Sequence, residues 1–176
     1  MKRIAVAVAA AAFALTLPLP AQTPTPAALA AALAEAHASG PSGGAVVFPV
    51  GDMRAQLAGF IAQAEAKGGA GTTLSDFGTY KLELSVRGKS GGAEVHAHWD
   101  DVMIVEQGSA KLVIGGRVIG GHTGPDGETH GIRIEGGQTQ VIAAGDVITV
   151  RAGTPHQLLL APGTVYSAFV IKIHEP

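Results

Sequence analysis

From residue 80 to the C-terminus, apolar and polar positions alternate in short runs, the period-two pattern of strands that bury one face. Residues 80–87 (YKLELSVR), 94–98 (EVHAH), 102–105 (VMIV), 110–114 (AKLVI), 138–142 (QTQVI), 147–151 (VITVR), 156–160 (HQLLL) and 165–173 (VYSAFVIKI) each read as one strand. Glycine-rich turns separate most of them, and residues 115–137 form a longer connection containing a hairpin. Many short strands with Gly/Pro punctuation predict an all-β sandwich, jelly roll or barrel. Long helices do not alternate with these strands, which argues against a parallel α/β sheet.

Upstream the period changes. Residues 45–50 (AVVFPV) read as a strand that leads into a turn at Gly51, and Asp52 is placed to cap a following helix. Leu57, Phe60, Ile61 and Ala64 form its apolar stripe and Gly68-Gly69 ends it, so one helix near 52–67 packs on the outside of the main fold. Residues 39–44 (SGPSGG) break any helix. Before them lie an Ala-rich stretch, 27–38, with Leu29 and Leu33 at helical spacing, and a Pro/Thr tether, 22–26. Lys2 and Arg3 precede an unbroken apolar run over residues 4–17, followed by Pro18, Pro20 and Ala21. That is the layout of an export signal with cleavage after Ala21; fourteen apolar residues fall short of the ~20 that a spanning helix needs. The expected organisation is a signal peptide at 1–21, a flexible or partly helical segment at 22–44, and a single barrel domain at 45–176. The mature product is then secreted or periplasmic, with no stable membrane insertion.

Composition narrows the function. Hydrophobic residues make up 47% and charged residues 15%, enough to build a core and too little charge for a disordered chain. Twelve basic residues face fourteen acidic ones with no basic block, and aromatics are only 5%, so nucleic acid is not an expected partner. Loss of Lys2 and Arg3 leaves ten basic residues and a mildly acidic protein. The absence of cysteine excludes disulfides, thiolate zinc sites and thiol nucleophiles, and leaves imidazole and carboxylate as metal donors. Gly-rich pieces at 115–121 (GGRVIGG) and 135–138 (EGGQ) lack the lysine and hydroxyl of a phosphate loop.

The candidate chemistry lies in the histidines. In a strand over 94–98, alternation puts His96 and His98 on one face. A bend at Trp99-Asp100 would turn Asp101 toward the same place, and His156, just after Gly153-Thr154-Pro155, would reach it only through closure of the barrel. Three imidazoles and a carboxylate suit one divalent transition metal, Mn, Fe, Zn or Ni, with water or a ligand completing the shell. Each residue also has a plain alternative: strand histidines often just pack, and Asp101 can simply close a turn. Glu94 shares parity with the histidines and lines the cavity as an acid or base, or lies at its rim. Met103 and Val105 share parity with Asp101, and Leu158 with His156; these three form an apolar wall. His122, His130 and His174 read as solvated, His37 belongs to the Ala-rich segment, and Asp146 reads as turn chemistry.

At these residues the sequence resembles the cupin superfamily. That family's first motif, G-x5-H-x-H-x(3,4)-E-x6-G, is matched by His96, His98, an acid at Asp101 and Gly108; its second, G-x5-P-x-G-x2-H, is matched by Gly145, Gly153 and His156. The chain departs from the pattern in five ways. Asp101 stands for Glu, only two residues separate it from His98, Arg151 stands for Pro, a leucine stands for the Asn that closes the second motif (H-x3-N), and Gly91 and Gly92 are out of register with the first motif's first glycine. The resemblance implies a cupin-type double-stranded β-helix, a jelly-roll barrel with an N-terminal helical extension. It further implies metal ligation by His96, His98, Asp101 and His156. Because one barrel hosts many activities, function stays open between a metal-dependent dioxygenase or lyase acting on a small polar molecule and a non-catalytic small-ligand- or metal-binding protein of the cell envelope. Sheet edges and an apolar outer face also lead us to expect a homodimer.

Overall fold

The computed structural model describes residues 45–176. The expected leader, tether and Ala-rich helix lie outside the described residues. One helix, α1 (Val50–Lys67), precedes thirteen strands: β1 (Gly69–Asp76), β2 (Tyr80–Arg87), β3 (Ala93–His96), β4 (Trp99–Gln107), β5 (Ser109–Ile114), β6 (Arg117–Ile119), β7 (His122–Thr123), β8 (Glu128–Gly131), β9 (Arg133–Glu135), β10 (Gln138–Ala143), β11 (Val147–Val150), β12 (His156–Leu159) and β13 (Tyr166–His174). They form a five-stranded sheet in the order β1-β2-β13-β4-β11, a six-stranded sheet in the order β10-β5-β12-β3-β8-β7, and a small β6-β9 ribbon. All pairings are antiparallel. Neighbours far apart in sequence, such as β2 beside β13, give the jelly-roll arrangement. The all-β expectation holds.

Period-two alternation sorts residues between two cores. On β4, β12 and β13, Met103, Val105, Leu158, Tyr166, Ala168 and Val170 point between the sheets and pack with Leu112 and Ile142. The opposite parity of β2 and β13 places Leu84, Val86 and Phe169 on the outer face of the first sheet, where Leu57 and Ala64 of α1 cover them. Phe60 and Ile61 complete that contact, so the stripe read from the sequence is the buried face of the helix.

The N-terminal boundary differs from expectation. Residues 45–49 form no strand, and the helix begins at Val50 with Pro49, not Asp52, at the N-cap position. Proline donates no backbone hydrogen bond and its extended ψ of 127° suits the residue just before a helix. Asp52 lies in the first turn, where its charge favours the positive end of the helix dipole. Phe48 and Met53, the two positions of a hydrophobic staple, both pack on the outer core. Strand β1 has no clear alternation in the sequence: GAGTTLSD buries only one large apolar side chain, Leu74, and forms a sheet edge. The 115–137 connection holds four short strands where one hairpin was expected. No described helix is long and apolar enough to cross a membrane.

Gly108, which joins β4 to β5, has φ +79°, and a Cβ there would sit 2.0 Å from the Val165 carbonyl oxygen. Gly153 has φ +75° but no heavy atom within 4 Å of such a Cβ. We therefore expect Gly153→Ala to cost about 1 kcal/mol, the left-handed backbone penalty alone. Gly108→Ala adds a backbone clash and should cost more than ~2 kcal/mol, as read by urea unfolding.

Candidate metal centre

Strand β3 carries Glu94 and His96 on its inward face, β4 carries Asp101, and β12 carries His156. The turn before β12 is tied to β3, because the Gly153 N–H donates to the His96 carbonyl at 2.8 Å. His156 is also the cross-strand partner of Glu94. The result is a cluster of four donors. His96 Nε2 lies 3.2 Å from Asp101 Oδ2, and His156 Nε2 lies 3.8 Å from that same oxygen and 3.9 Å from Glu94 Oε2. Donor atoms of Glu94, His96 and His156 all fall within 4.8 Å of one another. Donors ~2.1 Å from one metal ion stand about 3–3.5 Å apart, so this spacing fits a shared ion after small side-chain adjustments.

The far side of each imidazole fixes its proton. His156 Nδ1 donates to the Thr154 carbonyl at 3.1 Å, which leaves the Nε2 lone pair facing the cavity. His96 Nδ1 contacts the Glu128 carboxylate, supplied by β8, the strand that pairs with β3. A histidine that donates its outer N–H to a carboxylate or carbonyl is the arrangement that orients metal ligands. Nε2 of His96 then faces Asp101 Oδ2, an acceptor, so a positive species belongs between them: a proton in the metal-free protein, or a metal ion in its place.

Electrostatics follow from the same contacts. Burial by itself would lower the His96 pKa, but the hydrogen bond and charge of Asp101, with Glu128 behind, outweigh it and raise the value above the ordinary histidine range. His156 shifts down because burial dominates, and the Thr154 hydrogen bond only partly offsets it. Burial would raise the Asp101 carboxyl, yet the His96 hydrogen bond and the Lys172 charge hold it below its usual range. Lys172 Nζ sits 2.7 Å from Asp101 Oδ1, leaving Oδ2 to the histidines. Arg87 holds Glu94 Oε1 at 3.2 Å in the same way, leaving Oε2 inward.

The site opens on a cavity of about 130 Å³ between the sheets, lined partly by Glu83, Arg87, Met103, Leu158, Tyr166 and Lys172. Met103 and Leu158 are the apolar wall expected from parity. Val105 is not: it is buried in the core and does not line the cavity. Glu94, expected in the cavity or at its rim, stands among the donors.

His98 is the clear departure. Strand β3 ends at His96, the chain bends through Ala97 and His98, and His98 is exposed, stacked on His174 with ring centroids 6.1 Å apart. The bend is held where the Ala97 N–H donates to the Gly127 carbonyl, and Gly127 lies against both side chains. The same-face argument needed a strand through residue 98, and there is none.

A shift of the cupin motif by two residues absorbs this. Gly88-x5-Glu94-x-His96-x4-Asp101-x6-Gly108 satisfies every spacing, with Glu94 where the pattern has its first histidine. The short spacer and the misplaced glycine both disappear in that register, and they were the signal that pointed to it. Glu128, Arg87 and Lys172 were missed. Parity on β2 and β13 could have found the last two, whereas Glu128 lies in a connection that carries no strand-length pattern.

No protein-family model and no curated protein matches the sequence. Among solved structures, the chain is similar to a conserved protein with a double-stranded β-helix domain from Klebsiella pneumoniae at 12% identity and TM-score 0.51, covering 76% of this chain and 88% of that one. It is also similar to the polyketide cyclase RemF from Streptomyces resistomycificus, at 22% identity, TM-score 0.44 and coverage of 62% and 69%. The cupin domain of Cnp3 from Schizosaccharomyces pombe matches at 8% identity and TM-score 0.46, with 61% of each chain covered. Sheet order, the barrel interior and the Klebsiella likeness together establish a double-stranded β-helix as the fold of this chain.

Proposed function

We propose that the barrel binds one divalent transition metal through His96, His156 and Glu94, with Asp101 as a fourth and weakest donor. In this reading the protein is an exported metal-dependent enzyme of the oxidoreductase or lyase type that acts on a small polar molecule. The observation that carries the proposal is the convergence of two imidazole Nε2 atoms and a carboxylate oxygen, each with its other polar atom already committed. A bound divalent metal would supply Lewis-acid polarisation and open positions for a ligand. The chain's own residues orient the donors: Glu128 and Thr154 fix the imidazoles, while Arg87 and Lys172 hold the carboxylates.

A second reading, a non-catalytic binding protein, has one observation in its favour. Asp101 and Glu94 are both already ion-paired, so neither stands free as a general acid or base. Metal titration of the full chain, followed by elemental analysis and oxygen uptake, tests both. We expect one metal per chain and a higher melting temperature. A preparation that takes up no metal and melts unchanged would overturn the metal-binding reading; bound metal with no turnover of small polar compounds would favour the binding protein. The export and homodimer expectations stand beside this as proposals, to be checked by N-terminal sequencing near Gln22 and by light scattering.

A further inference from the structure

The cavity wall opposite the imidazoles holds polar groups that the metal donors do not use. Tyr166, at 1% exposure, lines the cavity, and its hydroxyl is buried with no hydrogen-bond partner among the described residues. Such a group is costly to leave unpaired. Burial pushes its pKa up to about 12, so at neutral pH it is a donor. Its cross-strand neighbour is Arg87, which also lines the cavity and uses only Nη2 in hydrogen bonding to Glu94. A guanidinium carries five N–H donors, so several are left to offer. The lining carries three carboxylates, Glu83, Glu94 and Asp101, against two cations, Arg87 and Lys172. With the histidines neutral, that leaves one negative charge, which a divalent ion converts to one positive charge.

We propose that the cavity's ligand is a small monocarboxylate whose oxygens are received by the Tyr166 hydroxyl and the free donors of Arg87, beside the metal. This builds on the metal-binding reading and names its substrate class. A single carboxylate neutralises the loaded site, satisfies the orphaned hydroxyl and suits a space of about 130 Å³. A neutral amide of the same shape keeps one acceptor oxygen but has an NH2 group where the second carboxylate oxygen would accept, and brings no charge to neutralise the loaded site.

The test is calorimetric titration of the metal-loaded full chain with acetate and with its neutral counterpart acetamide, for wild type and Tyr166→Phe. Metal content is measured on the same samples. We expect acetate to bind at least about tenfold more tightly than acetamide, and Tyr166→Phe to weaken acetate by about tenfold or more. Because the hydroxyl has no internal partner, Tyr166→Phe should melt no lower than wild type. Equal binding of acetate and acetamide, an unweakened variant, or a clear loss of stability in Tyr166→Phe would each overturn the proposal. Wild type that holds metal but ignores acetate overturns it alone, whereas wild type without metal overturns the metal-binding reading first.

Discussion

Replacing His96 or His156 by alanine is expected to abolish stoichiometric metal, while His98→Ala retains the wild-type amount. Both inward imidazoles are held by strands and by an outer hydrogen bond, so no flexible neighbour can take over their position. His98 lies beyond the end of β3, on the exposed surface against His174, and contributes nothing to the cluster. Glu94→Gln removes the third donor's charge and should weaken binding strongly. Asp101→Ala should leave weakened but detectable binding, because its Oδ1 is already held by Lys172 and its arm is short. Glu128→Gln leaves the donor set intact but loosens His96, an effect worth about ten- to a hundredfold in affinity. Elemental analysis after loading and dialysis ranks these variants. Normal metal content in His96→Ala, or its loss in His98→Ala, would contradict the assignment.

The rank order also measures what the sequence made legible. Strands β2 and β4 were readable because residue type alternates along them, whereas β13, buried on both faces where α1 covers the sheet, was readable as an apolar run of strand length. Parity then placed His96 inside, though with His98 beside it, while Asp101 was placed by a bend at Trp99-Asp100 and His156 by closure of the barrel. Strand ends were less readable. The end of β3 is decided by the Gly127 turn, thirty-one residues further on than His96, and no local pattern in EVHAH announces it. Glycine-rich β1 and the 115–137 connection were obscure for a related reason: their strands are held by neighbouring backbone and bury few large side chains. Glu128 is therefore a product of pairing between β3 and β8, visible only once that register is known.

Metal affinity is expected to fall on acidification in two stages. Both histidines must present an unprotonated Nε2 to bind, so protons compete with the metal at each. His96 is the more basic in the metal-free protein because Asp101 and Glu128 outweigh its burial, and it takes its proton already above the ordinary value of about 6.5. His156 resists protonation because burial dominates, and follows only at lower pH. Binding should thus release more protons as the pH falls, from His96 first and from His156 only at lower pH. Stability without metal behaves differently. The raised His96 pKa gives stabilisation that is present below ~6.5 and lost as the pH rises through its folded value; the lowered His156 pKa makes the folded state lose stability as the pH falls through ~6.5. The first acts above ~6.5 and the second below it, so the metal-free melting temperature should pass through a maximum near pH ~6.5. Asp101, held below its usual range, contributes stability above the unfolded carboxyl value of ~3.9 that is lost only as the pH falls through its lower folded value. Melting curves with saturating metal and with chelator, across that pH range, separate the terms. The metal-loaded curve should fall further toward acid than the chelated one, because protons then displace the metal as well. Affinity that does not vary with pH, or a chelated protein that loses as much stability as the loaded one, would remove His96 and His156 from the centre.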